Sequence, residues 1–252
     1  MADDGEPVEE VALSISAAAN SHVNVDEQLD RIDALSLRCH DFGVAGDSSS
    51  LCRFLFSEPG FRGNRQSYYD PRNSYLDLVL TRRVGIPITL SVIAMAVGRR
   101  VGVDLVGVGM PGHFIVRDRS DAEAFYDPFN DGRAVDLAGC EQLFATMHGS
   151  EAGFSAEMVE PVDGVAIAKR MLANLTRAHL AAKDLKSLAA VLRLRTAVPG
   201  ADPVVHRQLA GLLAHLGRTW EAAEIFERLI GLEPARAAAH RGAAQRLRAD
   251  QN

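Results

Sequence analysis

The chain is poor in cysteine, in lysine and in long apolar runs, and each shortage closes off a class of protein. Its three cysteines among 252 residues, Cys39, Cys52 and Cys140, are odd in number and form no C-x-x-C pair. Neither a disulfide framework nor a zinc ribbon is therefore expected, and a reducing, cytoplasmic location fits. Lysine occurs only at 169, 183 and 186. With 27 Lys and Arg against 33 Asp and Glu, and a net charge of -6, the surplus of positive charge that neutralises phosphates is missing, so no nucleic-acid partner is expected. The opening residues, MADDGEPVEE, are acidic where a secretory signal would be basic; export by that route is not expected, and these ten residues read as frayed. The longest apolar stretch, residues 86–97, is broken by Pro87, Thr89 and Ser91 and is too short for about 30 Å of hydrocarbon, so no membrane partner is expected. The eight histidines show no H-x-H, no H-E-x-x-H and no i, i+4 pair, which leaves no metal-ligand set. Gly107, Gly109 and Gly112 precede neither a helix N-terminus nor a lysine, so no nucleotide site and no cofactor are expected.

What is present is apolar material for a core, 47% of residues, in a chain long enough for one large domain or a domain with an appendage. Val25, Leu29, Ile32, Leu35 and Leu37 recur at helical spacing, with Asn24 or Asp26 as N-cap and an end near Phe42 and Gly43. Asp47 and Ser48 open a short helix through Leu51 and Leu55. Residues 58–72, EPGFRGNRQSYYDPR, read as a long ordered loop, after which Asn73 or Ser74 caps a helix over residues 75–83. Gly85-Ile86-Pro87 starts another helix, since proline in the first turn forfeits no hydrogen bond. This helix is apolar on nearly every face and so belongs in the centre of the domain; Arg99, Arg100 and Gly102 end it. Short strands follow at residues 105–108, 114–117 and 124–127, then a tight turn at 128–132 and a helix from Asp136 to about Met147. Residues 148–164 lack periodicity, and the domain boundary is placed there.

Beyond Val165 the chain is helical and repetitive. Lys183-Asp184 and Gly217-Arg218 lie 34 residues apart, as do Ala189 from Ala223 and Leu192 from Phe226. A period of 34 is the tetratricopeptide signature, carried best by Leu209, Gly217, Ala222, Phe226 and Pro234. In the first copy Leu188 occupies the small-residue position and Pro199 is one residue out of register. Residues 235–248 read as a capping helix.

A helix followed by a sheet, with His113 in PGHFIVR and Asp127 in FYDPFN, resembles the transglutaminase-like cysteine-protease core, which opens G-x-C at a buried helix and closes it R-x-x-G. The wider text, YYDPRNSYLDLVLTRRVGIPITLSV with GVGMPGHFIV and DPFN, is similar to a bacterial branch of that superfamily whose functions are largely unassigned. The resemblance spans residues 8–232. It implies an α+β class: a helical N-terminal region and a buried central helix on a small antiparallel sheet in residues 1–160, then an all-α tetratricopeptide-type region of two repeats and a capping helix in residues 165–252.

The family's arrangement places a thiol at a helix N-terminus, where the dipole and an imidazolium acidify it and an Asp orients the imidazole. Aligned on Gly85 and Arg99, the nucleophile position here is Pro87, which has no nucleophilic atom. One reading is a protein without catalysis that binds a peptide or protein partner. The other is an amidase, peptidase or acyltransferase in which Ser91 or Thr89 replaces the thiol, with His113 as base and Asp127 beside it; a thiol route through Cys140 is a third. Against these stand structural roles: Thr89 and Ser91 bonding backbone carbonyls, His113 and Asp127 as a cross-strand pair. The loop residues Tyr68, Tyr69, Asp70, Arg72 and Asn73, with Arg82 and Arg83, either wall a cleft or anchor the loop to its helix.

Overall fold

A computed structural model of the chain describes residues 6–44, 46–57 and 59–249. The chain divides into two compact units, one ending at Met171 and the other beginning at Leu172. The class is α-rich α+β: helices around a small antiparallel sheet.

The first unit opens with α1 (Val8–Ala19) and α2 (Val25–Asp41). Residues 8–10, expected to be frayed, are already helical. Glu9 is buried because its carboxylate receives the guanidinium groups of Arg99 and of Arg100, the latter at 2.7 Å. Residues 1–5, also expected to be frayed, lie outside the described residues. Asn24 caps α2 by accepting from the Glu27 N–H at 3.3 Å. Asp47 caps α3 (Ser48–Phe56), accepting from Ser49 and Ser50. The loop that follows contains a two-residue strand, β1 (Arg62–Gly63), and a 3-10 turn, Pro71–Asn73.

The next helix, α4 (Leu76–Arg82), has neither Asn73 nor Ser74 as its cap. Its first free N–H, that of Leu76, instead donates to Ser16 Oγ on α1 at 3.1 Å. Arg83 then turns left-handed (φ 55°) into β2 (Val84–Gly85), which pairs in parallel with β1. Helix α5 (Pro87–Val101) is buried over almost its whole length, including both faces of its first three turns. It runs between α1, α2, α3 and α4 on one side and the sheet on the other, which is why it tolerates apolar residues all round.

The sheet is β3 (Leu105–Val108), β4 (Ile115–Asp118), β5 (Phe125–Asp127) and β6 (Arg133–Val135), antiparallel in that order. The fourth strand, β6, lies beyond the three that the sequence predicts. Helix α6 (Leu137–His148), capped by Asp136, packs its Cys140 and Phe144 over Val108, Ile115 and Phe125. The aperiodic stretch before residue 164 is tied to β3 by a bridge from Pro161 to Val108 and a bond from the Val162 N–H to Gly107. The division between the units falls inside α7 (Gly164–Ala181), whose first turns belong to the first unit: Arg170 lies over the Phe114 ring.

The second unit continues with α8 (Leu185–Ala197), α9 (Pro203–His215), α10 (Thr219–Leu232) and α11 (Ala237–Ala249). α8 and α10 start 34 residues apart, and α7 and α9 end 34 residues apart. The two turns share a left-handed residue at equivalent places, Lys183 (φ 56°) and Gly217 (φ 73°). Leu188, Leu192, Leu209, Leu213, Ile225 and Leu229 form this unit's own core.

Candidate functional site

Asp127 ends β5, and its carboxylate starts the next turn. Its Oδ1 accepts from the backbone N–H of Phe129 at 3.1 Å and of Asn130 at 3.3 Å, while Oδ2 accepts from the Asn130 side-chain amide at 2.5 Å. The left-handed Asp131 and Gly132 (φ 61° and 66°) then return the chain into β6. Asp127 is thus fully buried and fixed from several directions before any histidine is considered.

His113 is not on a strand; it closes a turn just ahead of β4, donating its N–H to Met110 O at 3.2 Å. Gly112 permits that turn, since it sits at φ 77° and a Cβ there would come 3.0 Å from His148 Nε2. Arg170 holds the turn from α7 by donating to the His113 carbonyl oxygen. The buried ring places Nε2 3.0 Å from Asp127 Oδ2. The ring N–H is off the line to the oxygen, so the contact is close but not an aligned hydrogen bond. Burial raises the Asp127 pKa, but the His113 contact and charge and the Asn130 donors outweigh it, leaving the carboxyl below its ordinary value.

The sequence-derived nucleophile candidates are placed differently. Pro87 is the first residue of α5 and is buried. Thr89 is consumed in the helix start: its Oγ1 accepts from the Ile86 N–H at 3.1 Å and lies 2.9 Å from the Asn73 carbonyl it donates to. Ser91 is fully buried and its Oγ has no hydrogen-bond partner among the described residues, His113 included. All three thiols are buried. Burial pushes Cys52 up to about 12, with Asp47 and Asp118 adding, and Cys39 and Cys140 up to about 11. At neutral pH they stay as thiols.

The loop residues mostly anchor. Asn73, fully buried, donates to the carbonyls of Ser67 and Tyr68 and accepts from Asn64 and Arg82. Asp70 accepts from the Arg72 N–H and pairs with its guanidinium, which holds the carboxyl below the usual range. Arg83 donates to Pro59 O at 2.9 Å. Tyr69 is exposed, whereas Tyr68 meets the Phe129 ring edge-on at 5.9 Å.

Phe129 is the hub that the sequence did not reveal. Its ring meets His113 edge-on at 6.2 Å, carries the Arg65 guanidinium at 5.2 Å, and packs so closely on Gly63 that a Cβ there would lie 2.5 Å away. Arg65 also donates to Asn130 Oδ1. Phe129 and Asn130 stand in the DPFN motif, but nothing in its text assigns them these partners, and Arg65 belongs to no pattern. A separate cavity of about 750 Å³, lined by Tyr126, Arg133, Asp136 and Gln142 among others, includes neither His113 nor Asp127. Among the described residues no group of three or more His, Cys, Asp or Glu is placed to hold a metal, and no helix is long and apolar enough to cross a membrane.

A buried helix with a capped N-terminus, an antiparallel sheet and a His-Asp pair at its strand ends define a transglutaminase-like domain, and residues 23–173 match the model of the transglutaminase-like superfamily. The chain belongs to that superfamily. Similar proteins include a UPF0162 protein of Xylella fastidiosa, 43% identical over 50% of this chain and 47% of its own length, and one of Pseudomonas aeruginosa, 34% identical over 64% and 58%. F-box only protein 21 of mouse is 35% identical over 48% of this chain and 20% of its own length. The chain spans about half the length of the Xylella relative it matches. No solved structure matches it.

Proposed function

We propose that this protein is a transglutaminase-like domain without a catalytic nucleophile, and that the surface formed by the loop over residues 64–73 next to His113 binds a segment of a peptide or protein partner. The observation that carries this reading is the start of α5: Pro87 supplies no nucleophilic atom, and the hydroxyls that follow are committed or sealed, Thr89 to Ile86 and Asn73, Ser91 in the core. A nucleophile has to reach both its base and solvent-borne substrate, and these side chains are fully buried. The same burial argues against a thiol route through Cys140. The buried pair of His113 and Asp127 then holds in place the turns at residues 110–113 and 127–132, which border the proposed binding surface, rather than acting as a base and its orienter.

The helices of the second unit are proposed to be two tetratricopeptide-type repeats with α11 as the cap. Support comes from the 34-residue offset of helix ends and from the matched left-handed turns at Lys183 and Gly217. Assays for transamidation and peptidase activity on a casein substrate test the reading. No turnover above buffer is expected; turnover abolished by His113→Ala or by a thiol reagent overturns it.

A further inference from the structure

Resting on the binding reading above, we infer that Arg65 is the anchor for a carboxylate on the bound peptide, so that the partner segment presents an Asp or Glu side chain or its C-terminus next to His113. Arg65 is exposed, yet its guanidinium is held in two ways: over the Phe129 ring at 5.2 Å and by its bond to Asn130 Oδ1. Asn130 is itself fixed, because its amide nitrogen donates to Asp127 Oδ2 while its oxygen receives Arg65. Both ends of the amide are thereby assigned, and a chain of contacts runs Arg65 to Asn130 to Asp127 to His113.

Among the described residues no carboxylate pairs with Arg65, and its remaining N–H groups donate to none of them. A guanidinium carries five donors in a planar fork that matches a carboxylate two bonds at a time. Holding that fork on an aromatic face removes part of the ordering cost of binding. The planar fork of one guanidinium matches a singly charged carboxylate bidentately. The buried ring of Phe129, shared with His113 and Tyr68, is the support on which the Arg65 guanidinium rests.

The experiment is a titration followed by NMR, with the Arg65 Nε–H and the His113 ring as reporters. The probes are the capped peptide Ala-Ala-Glu-Ala-Ala, its Gln counterpart, and inorganic phosphate. Saturable shifts at both reporters with the Glu peptide are expected, weaker by at least about tenfold with the Gln peptide and in Arg65→Ala, and intermediate in Arg65→Lys. Arg65 is a surface residue, and a thermal melt matching the unmodified protein confirms that each variant folds. Saturation by phosphate without response to the Glu peptide overturns the carboxylate assignment. Equal response to both peptides, unchanged in Arg65→Ala, overturns the role of Arg65 while leaving peptide binding intact. Silence at Arg65 with either peptide also overturns it; whether the His113 and Tyr68 resonances still move then decides the binding reading separately.

Discussion

Thr89 Oγ1 lies 2.9 Å from the carbonyl oxygen of Asn73, sixteen residues earlier in the chain, and receives the N–H of Ile86 at the same time. One hydroxyl therefore closes the first turn of α5 and pins the loop over residues 64–73 to it. Thr89→Val keeps the shape but removes both bonds from a fully buried site, and should destabilise the fold by about 2–4 kcal/mol, whereas Thr89→Ser should cost about 1 kcal/mol or less. Urea denaturation of the two variants checks this. A larger loss in Thr89→Ser than in Thr89→Val would assign the role of Thr89 to its methyl group.

Acid should expose the contribution of Asp127. Its carboxyl titrates below the ordinary value: burial raises it, and the His113 contact with the Asn130 donors lowers it further than burial lifts it. A carboxylate depressed in this way stabilises the fold fully above its unfolded pKa of about 3.9, and that stability is lost as pH falls through the folded value. Between about pH 5 and pH 2 the unmodified protein should lose stability more steeply than Asp127→Asn, which should start lower at pH 7. Denaturation midpoints at pH 7, 5 and 3 give the slopes, and parallel lines for the two proteins would contradict the assignment.

Substituting Pro87 tests what the helix end still offers. A thiol at the first position of the fifteen-residue α5 feels the positive end of the helix dipole. Pro87→Cys should therefore titrate below about 8.5, unlike Cys39, Cys52 and Cys140, which burial lifts to about 11 or 12. Site-resolved alkylation rates against pH measure it. A value at or above 8.5 would mean that burial at position 87 outweighs the dipole, and that the position no longer favours a thiolate.

The parts of this fold that were legible in the sequence are those specified locally. Asn24, Asp47 and Asp136 cap the helices they precede, Pro87 starts α5, and the 34-residue period reappears in the ends of the later helices, because such signals need only neighbouring residues. What was missed is set by distant partners. Leu76 is capped by Ser16 from another helix, and Glu9 is buried by arginines ninety residues away. Strands β1, β2 and β6 are two or three residues long, too short for alternation to register. In the site, the motifs brought His113 and Asp127 together, whereas Arg65 reaches Phe129 and Asn130 only through the folded loop.

The most direct test of a site without a nucleophile is the intact mass of the native protein after exposure to a fluorophosphonate and, separately, to iodoacetamide at neutral pH. The account predicts no adduct from either reagent, because Thr89 and Ser91 are sealed and every thiol is buried and protonated, with three alkylated cysteines appearing only after denaturation. A stoichiometric adduct on Ser91, Thr89 or a cysteine of the native protein that disappears in His113→Ala would contradict it and establish nucleophilic catalysis.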